Sequence, residues 1–271
     1  MRELYRFSFG GMGVIRGKGY GRREYALYRV ALTRPSGLTP QPQSLEKGPR
    51  FDFMLVFDFD STLVSVEALD ELFARSMASA PDRLVRIKEF EEITDLGMAG
   101  TISAEDSLAR RLAVLKADRS MVDEVGAEVA QCLSPSVERH IDFFESNSER
   151  IYVISGGFED LIRPSLHRLG IPAHRLMAHR FQYDADGNVT GMDRDTDMAR
   201  GGKPAALRTF VPHDSSIWMV GDGATDLELR TLGLVDRFIA FTENRHREPV
   251  VAKADAVARS MDELLDLLDG P

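Results

Sequence analysis

Three short apolar runs, "FMLVF" at 53–57, "RIYVIS" at 150–155 and "SSIWMV" at 215–220, each stop at small or acidic residues and lead into a helix-like stretch. None alternates polar with apolar residues, so each reads as a strand buried on both faces, as parallel strands covered by helices are. A fourth run, "RFIAF" at 237–241, behaves alike. Strands that alternate with helices imply an α/β fold, a doubly wound parallel sheet with right-handed crossovers. In such sheets ligands bind beyond the carboxyl ends of the strands, so the residues just after each run are the place to look for chemistry.

Those residues are polar in a particular way. The first run ends in Asp58 and Asp60, the second in Ser155, Gly156 and Gly157, and the third in Gly221, Asp222 and Gly223 with Asp226 close behind. A buried carboxylate is costly unless paired, hydrogen-bonded or bound to a metal. Carboxylates converging from separate strands suit a hard cation, and Mg²⁺ keeps waters and phosphate oxygens beside one or two of them. Ser155 with two glycines at a helix entrance can cradle an anion on backbone N–H groups. Lys203 precedes Pro204, a residue favoured in a first helical turn, so it can reach back from a loop as a point charge for phosphate. The competing reading is that each of these residues only caps a turn or a helix.

Between the first two strands the chain is helical. Val66, Leu69, Phe73 and Met77 fall at helical spacing. Further helices are expected in "DRLVRIKEFEEI", in "SAEDSLARRLAVLK", where Ser103 and Asp106 make a capping pattern, and in "MVDEVGAEVAQCL". This predicts a small helical cap over 65–139, inserted after the first strand of a core formed by 51–64 and 140–271. Past the second strand, "GGFEDLIRPSLHRLG" reads as a turn and a helix that Pro164 either breaks or re-starts. "HRFQYDADGNVTGM" reads as a hairpin turning at Asp186-Gly187, and Met261, Leu264, Leu265 and Leu268 mark a last helix.

The net charge of −9 is unevenly spread: residues 1–50 carry ten Lys or Arg against Glu3, Glu24 and Glu46, leaving the remainder strongly acidic. An acidic body argues against nucleic acid as a partner. The basic, Gly-rich first fifty residues lack periodicity and end in the linker-like "RPSGLTPQPQS", so they are expected to be a disordered extension. A transit peptide, a polyanion-binding tail and upstream sequence from a misassigned start are its three readings. One cysteine, Cys132, rules out an intramolecular disulfide and points to a reducing, cytoplasmic setting, or an organellar one if the extension is a transit peptide. No apolar run is long enough to span a bilayer.

The order Asp-x-Asp, Ser, Lys, Gly-Asp-Gly-x-x-Asp, spread over 54–271, resembles the haloacid dehalogenase-like phosphatases. "DFDSTLVSVEALDELF", "VISGGF", "VGDGATDLE" and "SLARRLAVLK" are similar to the phosphoserine phosphatase family within it. That resemblance implies hydrolysis of O-phospho-L-serine as the closing step of serine formation, with Mg²⁺ held by Asp58, Asp60 and Asp222. It makes Asp58 the nucleophile, Asp60 the acid and base, Lys203 the charge partner, and Asp226 a support behind the metal. It also implies that Glu67 faces the substrate amino group, that Arg111 holds its carboxylate, and that Met98, Ser155, Gly156, Gly157 and Thr225 complete the pocket. A homodimer is compatible with it.

The residues themselves support part of this. Arg111 lies in the apolar stripe of Leu108, Leu112 and Leu115, so it needs an anion, either a substrate carboxylate or a structural acid at the stripe's edge. Glu67 near a helix start is also explained by the helix dipole alone. Ala104 departs from the resemblance, standing where related enzymes often carry an aromatic wall. Another small phosphomonoester as substrate, and transfer of the phosphoryl group to an acceptor alcohol, remain the alternatives.

Overall fold

The structure is a computed structural model that describes residues 51–211 and 216–270. The expectations for residues 1–50 lie outside that range. The first strand, β1 (Phe53–Phe57), is followed by helices α1 (Ala68–Ser76), α2 (Arg83–Met98), α3 (Ala104–Val114), α4 (Arg119–Val129), α5 (Pro135–Arg139) and α6 (Ile141–Asn147). Then come β2 (Ile151–Phe158), α7 (Glu159–Arg168), β3 (Leu176–His179), and the antiparallel pair β4 (Phe181–Tyr183) and β5 (Val189–Met192). The chain closes with α8 (Asp197–Phe210), β6 (Ser216–Gly221), α9 (Ala224–Thr231), β7 (Arg237–Phe241), α10 (Glu248–Val251), β8 (Ala256–Ala258) and α11 (Met261–Asp269).

Six strands form one parallel sheet in the order β3-β2-β1-β6-β7-β8, so the chain winds outward from β1 in both directions, as the sequence predicts. The unbroken apolar runs are explained by which core each residue enters. Leu55 and Phe57 of β1, Val153 of β2 and Val220 of β6 pack into one apolar cluster. Their neighbours Val56, Ile154 and Met219 pack into a second, on the other face.

The helices after β1 pack onto the first of these cores. Leu72 and Phe73 of α1, Phe90 of α2 and Val122 of α4 belong to the same cluster as β1. Helix α7 runs through Pro164 without ending. Proline removes the amide that would pair with the Asp160 carbonyl. That carbonyl faces Gly126 of α4, where an added Cβ would stand 2.9 Å from it, so the two helices meet at backbone distance.

Four features differ from expectation. Leu176–His179 is a strand of the main sheet, so His179 belongs to it rather than to the hairpin, and β8 is a further strand. Both are short and lack β-branched runs, so they carry little strand signal of their own and are ordered by a neighbour. The Ser155-Gly156-Gly157 segment lies within β2, at a register irregularity, and helix α7 starts only at Glu159. Finally, α8 begins before Lys203 and is kinked at Gly201 and Gly202, the latter with φ of 62°, and Lys203 stands where the helix resumes.

Candidate active site

The carboxyl ends of β1, β2 and β6 bring the predicted groups together. Asp58 directly follows β1, where its amide donates to the Val220 carbonyl of β6 at 2.9 Å. Its Oδ1 accepts from the Phe59 amide at 2.8 Å and meets Lys203 Nζ at 2.7 Å. Lys203 also lies 2.6 Å from Asp226 Oδ1. All three side chains are buried. Burial works against the Lys203 charge, but the Asp226 and Asp58 carboxylates outweigh it and raise its pKa, so the ammonium stays charged. The kink at Gly201 and Gly202 is what turns the start of the second half of α8 towards this point.

Asp226 stands in the first turn of α9. Its Oδ2 accepts from the Gly223 amide at 2.9 Å. Gly221 must be glycine, because a Cβ there would overlap the Asp226 carboxylate. Among the described residues Asp222 is paired on one side only: Oδ2 accepts from Arg247 Nε at 3.0 Å, while Oδ1 is buried without a partner. Burial and the neighbouring Asp58 push its pKa up to about 7. Asp58, Asp222 and Asp226 present ligand atoms within 4.8 Å of one another. An acidic cluster with an orphaned carboxylate oxygen fits a divalent cation. The carboxylate of Asp60, by contrast, turns away from this cluster, accepting from the Ala68 amide at 2.7 Å and approaching Ser155 Oγ at 3.5 Å.

Asp60 has a different environment from Asp58. Burial lifts its pKa to about 7, against the opposing hydrogen bond from Ala68. Gly157 lets β2 come close: a Cβ there would stand 3.0 Å from Asp60 Oδ2. Ser155 Oγ accepts from the Gly157 amide at 2.9 Å, which leaves the Gly156 end of the strand exposed at the crevice.

Above these groups lies a cavity of about 300 Å³. Asp58, Asp60, Glu67, Met98, Arg111, Gly156, Gly157, Lys203 and Thr225 line it, and Ser155, Asp222 and Asp226 are not among its lining residues. Glu67 accepts from Ser61 Oγ at 2.8 Å, and its pKa rises to about 8 by burial and the nearby Asp60 and Asp70. Ser61 adopts φ of 54°, unusual for a residue with a side chain, in the turn that follows Asp60. Met98 ends α2 with its Cε 2.9 Å from where a Cβ on Gly223 would stand, so this helix closes onto the metal-side turn.

Arg111 faces the cavity from α3. Its Nη1 lies 3.6 Å from Asp70 and 3.4 Å from Thr94 Oγ1, and its Nε is 3.4 Å from the Ser107 carbonyl. The structural acid anticipated as the rival partner is therefore present, at long range. Nη2 makes no hydrogen bond among the described residues.

Sequence reasoning did not find Arg247, Asp70 or His179. Arg247 lies far along the chain from Asp222 and has no motif of its own. Asp70 stands one helical turn from Glu67, a spacing that could have drawn attention to it. His179 is the first residue of the stretch expected to form the hairpin, which hid its place at the end of β3.

A buried Asp-x-Asp at the end of a central parallel strand, a lysine ion-paired to it and an acidic turn on the next strand define a known class of hydrolase. The family model described as haloacid dehalogenase-like hydrolase matches residues 55–230, and the chain belongs to that family. Its relatives include phosphoserine phosphatases. "Phosphoserine phosphatase, chloroplastic" of Arabidopsis thaliana is 34% identical over 216 residues, covering 79% of this chain and 70% of the relative. "Phosphoserine phosphatase" of Drosophila melanogaster is 31% identical over 239 residues, 86% of this chain and 85% of the relative. A crystal structure of a phosphoserine phosphohydrolase-like protein from Francisella tularensis is 30% identical with a TM-score of 0.71, over 79% of this chain and 99% of that one.

Proposed function

We propose that this chain hydrolyses O-phospho-L-serine to L-serine and phosphate through an aspartyl-phosphate, with a divalent cation, Mg²⁺, in the acidic cluster. The observation that carries the proposal is the unequal treatment of two carboxylates at one strand end: Asp58 is ion-paired with Lys203, while burial pushes Asp60 up to about 7. Paired acids held in contrasting environments mark a nucleophile and a general acid.

Asp58 attacks phosphorus, and the bond to the serine oxygen breaks. Asp60, carrying its proton near neutral pH, gives it to the departing oxygen; the carboxylate so formed then takes a proton from the water that releases phosphate. Lys203 stabilises charge on the phosphoryl oxygens, which must approach an anionic nucleophile. Ser155 Oγ and the Gly156 amide hold those oxygens from β2. Asp58, Asp222 and the Asp60 carbonyl would hold Mg²⁺, which when bound supplies further neutralising charge, with Asp226 ordering Lys203 from behind. Glu67 meets the substrate ammonium and Arg111 its carboxylate. The helices over 65–139 serve as a cap that excludes water while the phosphoenzyme forms.

The test is a substrate series with Asp58→Asn as control. kcat/KM for phosphoserine should exceed that for phosphoethanolamine, phosphocholine and a sugar phosphate, depend on Mg²⁺, and vanish with the phosphoenzyme in Asp58→Asn. Equal rates on all four substrates would remove the assignment of Glu67 and Arg111. Near-normal turnover by Asp58→Asn would remove the nucleophile.

A further inference from the structure

His179 ends β3 and is in register with Phe158 of β2, at the same edge of the sheet as Ser155, Gly156 and Gly157. Its side chain is only 7% exposed, yet it lines the same cavity as Asp60, Glu67 and Arg111. Those three groups all have protein partners. The His179 Nδ1 is buried and has none among the described residues. A buried nitrogen without a partner is costly and uncommon, and calls for a ligand or a water to complete it.

The ring is kept neutral. Burial is the main reason, and it takes the pKa down to about 4; next come the positive charges of Arg111 and Arg194. A neutral imidazole offers one N–H and one lone pair, so near neutral pH it can donate to an anion without adding charge to the site. Arg111, one of the two charges that act on the ring, lines the same cavity.

We infer that His179 is a specificity-determining residue that donates a hydrogen bond to the substrate carboxylate from the sheet side, while Arg111 holds the same carboxylate from α3. The inference rests on phosphoserine as the substrate. It has a structural corollary: the carboxylate then links a helix inserted between β1 and β2 to the end of a core strand, so a substrate without one holds those helices less firmly over the crevice. The competing account is that His179 is a packing residue, its ring centroid 5.8 Å from that of Phe158.

His179→Phe keeps a ring against Phe158 and removes both nitrogens; His179→Asn retains a donor and an acceptor. Both are compared with wild type on phosphoserine and on phosphoethanolamine, which lacks the carboxylate, with inhibition by L-serine as a second readout. His179→Phe should raise KM for phosphoserine and Ki for L-serine about tenfold, a typical cost of losing one hydrogen bond to a charged group. It should leave kcat and the phosphoethanolamine reaction little changed, and His179→Asn should recover most of the loss. Equal losses on both substrates, or no loss on phosphoserine, overturns the inference in favour of packing. Arg111→Ala run alongside separates the two readings. If Arg111→Ala discriminates between the substrates and His179→Phe does not, only the role of His179 falls; if neither does, the phosphoserine assignment falls with it. Thermal melts accompany each variant, and if His179→Phe fails to fold, His179→Ala takes its place in the same comparison.

Discussion

Replacing Glu67 with Gln should make the metal-free protein more stable while impairing its use of phosphoserine. The Glu67 pKa rises from 4.5 to about 8, first because burial disfavours its charge and then because Asp60 and Asp70 repel it. The folded state therefore holds a proton that the unfolded chain has released. The cost of doing so is absent below 4.5, grows as pH rises through the window between the two values, and is complete above about 8. At pH 7.5 the window spans about 3 pH units, and at about 1.4 kcal/mol each the ceiling is about 4 kcal/mol. Glu67 is only partly buried, so water reaching the cavity lowers this, and about 2 kcal/mol is a fair expectation. Glutamine incurs no such cost and can still accept from Ser61. For a chain of this size that corresponds to a rise in Tm of about 4–8 °C at pH 7.5 and almost none at pH 4.5. Thermal melts in EDTA at the two pH values measure it. A gain that is the same at both, or a loss at pH 7.5, would refute the account of Glu67 as a carboxyl that burial forces to keep its proton.

Lys203→Met strips from the Asp58 and Asp226 carboxylates the only cation paired with them among the described residues. It should abolish turnover and cost about 3–5 kcal/mol in urea unfolding at neutral pH, with part of the stability returning at acid pH as the carboxylates protonate. Arg247→Gln leaves Asp222 without its partner, so it should lower the metal-free Tm by several degrees, and added Mg²⁺ should narrow the gap to wild type. Calorimetric melts with and without Mg²⁺ report both quantities. Gly126→Ala pushes a methyl against the Asp160 carbonyl and should cost about 1–3 kcal/mol by separating α4 from α7, with kcat unchanged because no cavity residue moves.

What local chemistry could specify was readable from the chain. β1, β2, β6 and β7 announce themselves because a strand buried on both faces needs an unbroken apolar run, and their polar ends follow from where a parallel sheet meets solvent. The Ser103 cap on α3 is as local, with its side chain accepting from the Asp106 amide at 3.0 Å. β3 and β8 were not readable, because three or four residues acquire strand form only from the neighbour they pair with. Nor was the continuation of α7 through Pro164, where the Asp160 carbonyl meets a glycine of another helix. The same division runs through the site. Asp58, Asp60, Ser155, Lys203, Asp222 and Asp226 stand in short motifs whose residue types already imply anion and cation chemistry. Which carboxylate pairs with Lys203, that Arg247 meets Asp222, that Asp70 stands behind Arg111 and that His179 reaches the cavity were decided by the tertiary structure. Charge and hydrogen-bond partners act through space over a few ångströms, and segments far apart in the chain come that close only when the sheet and its helices are packed.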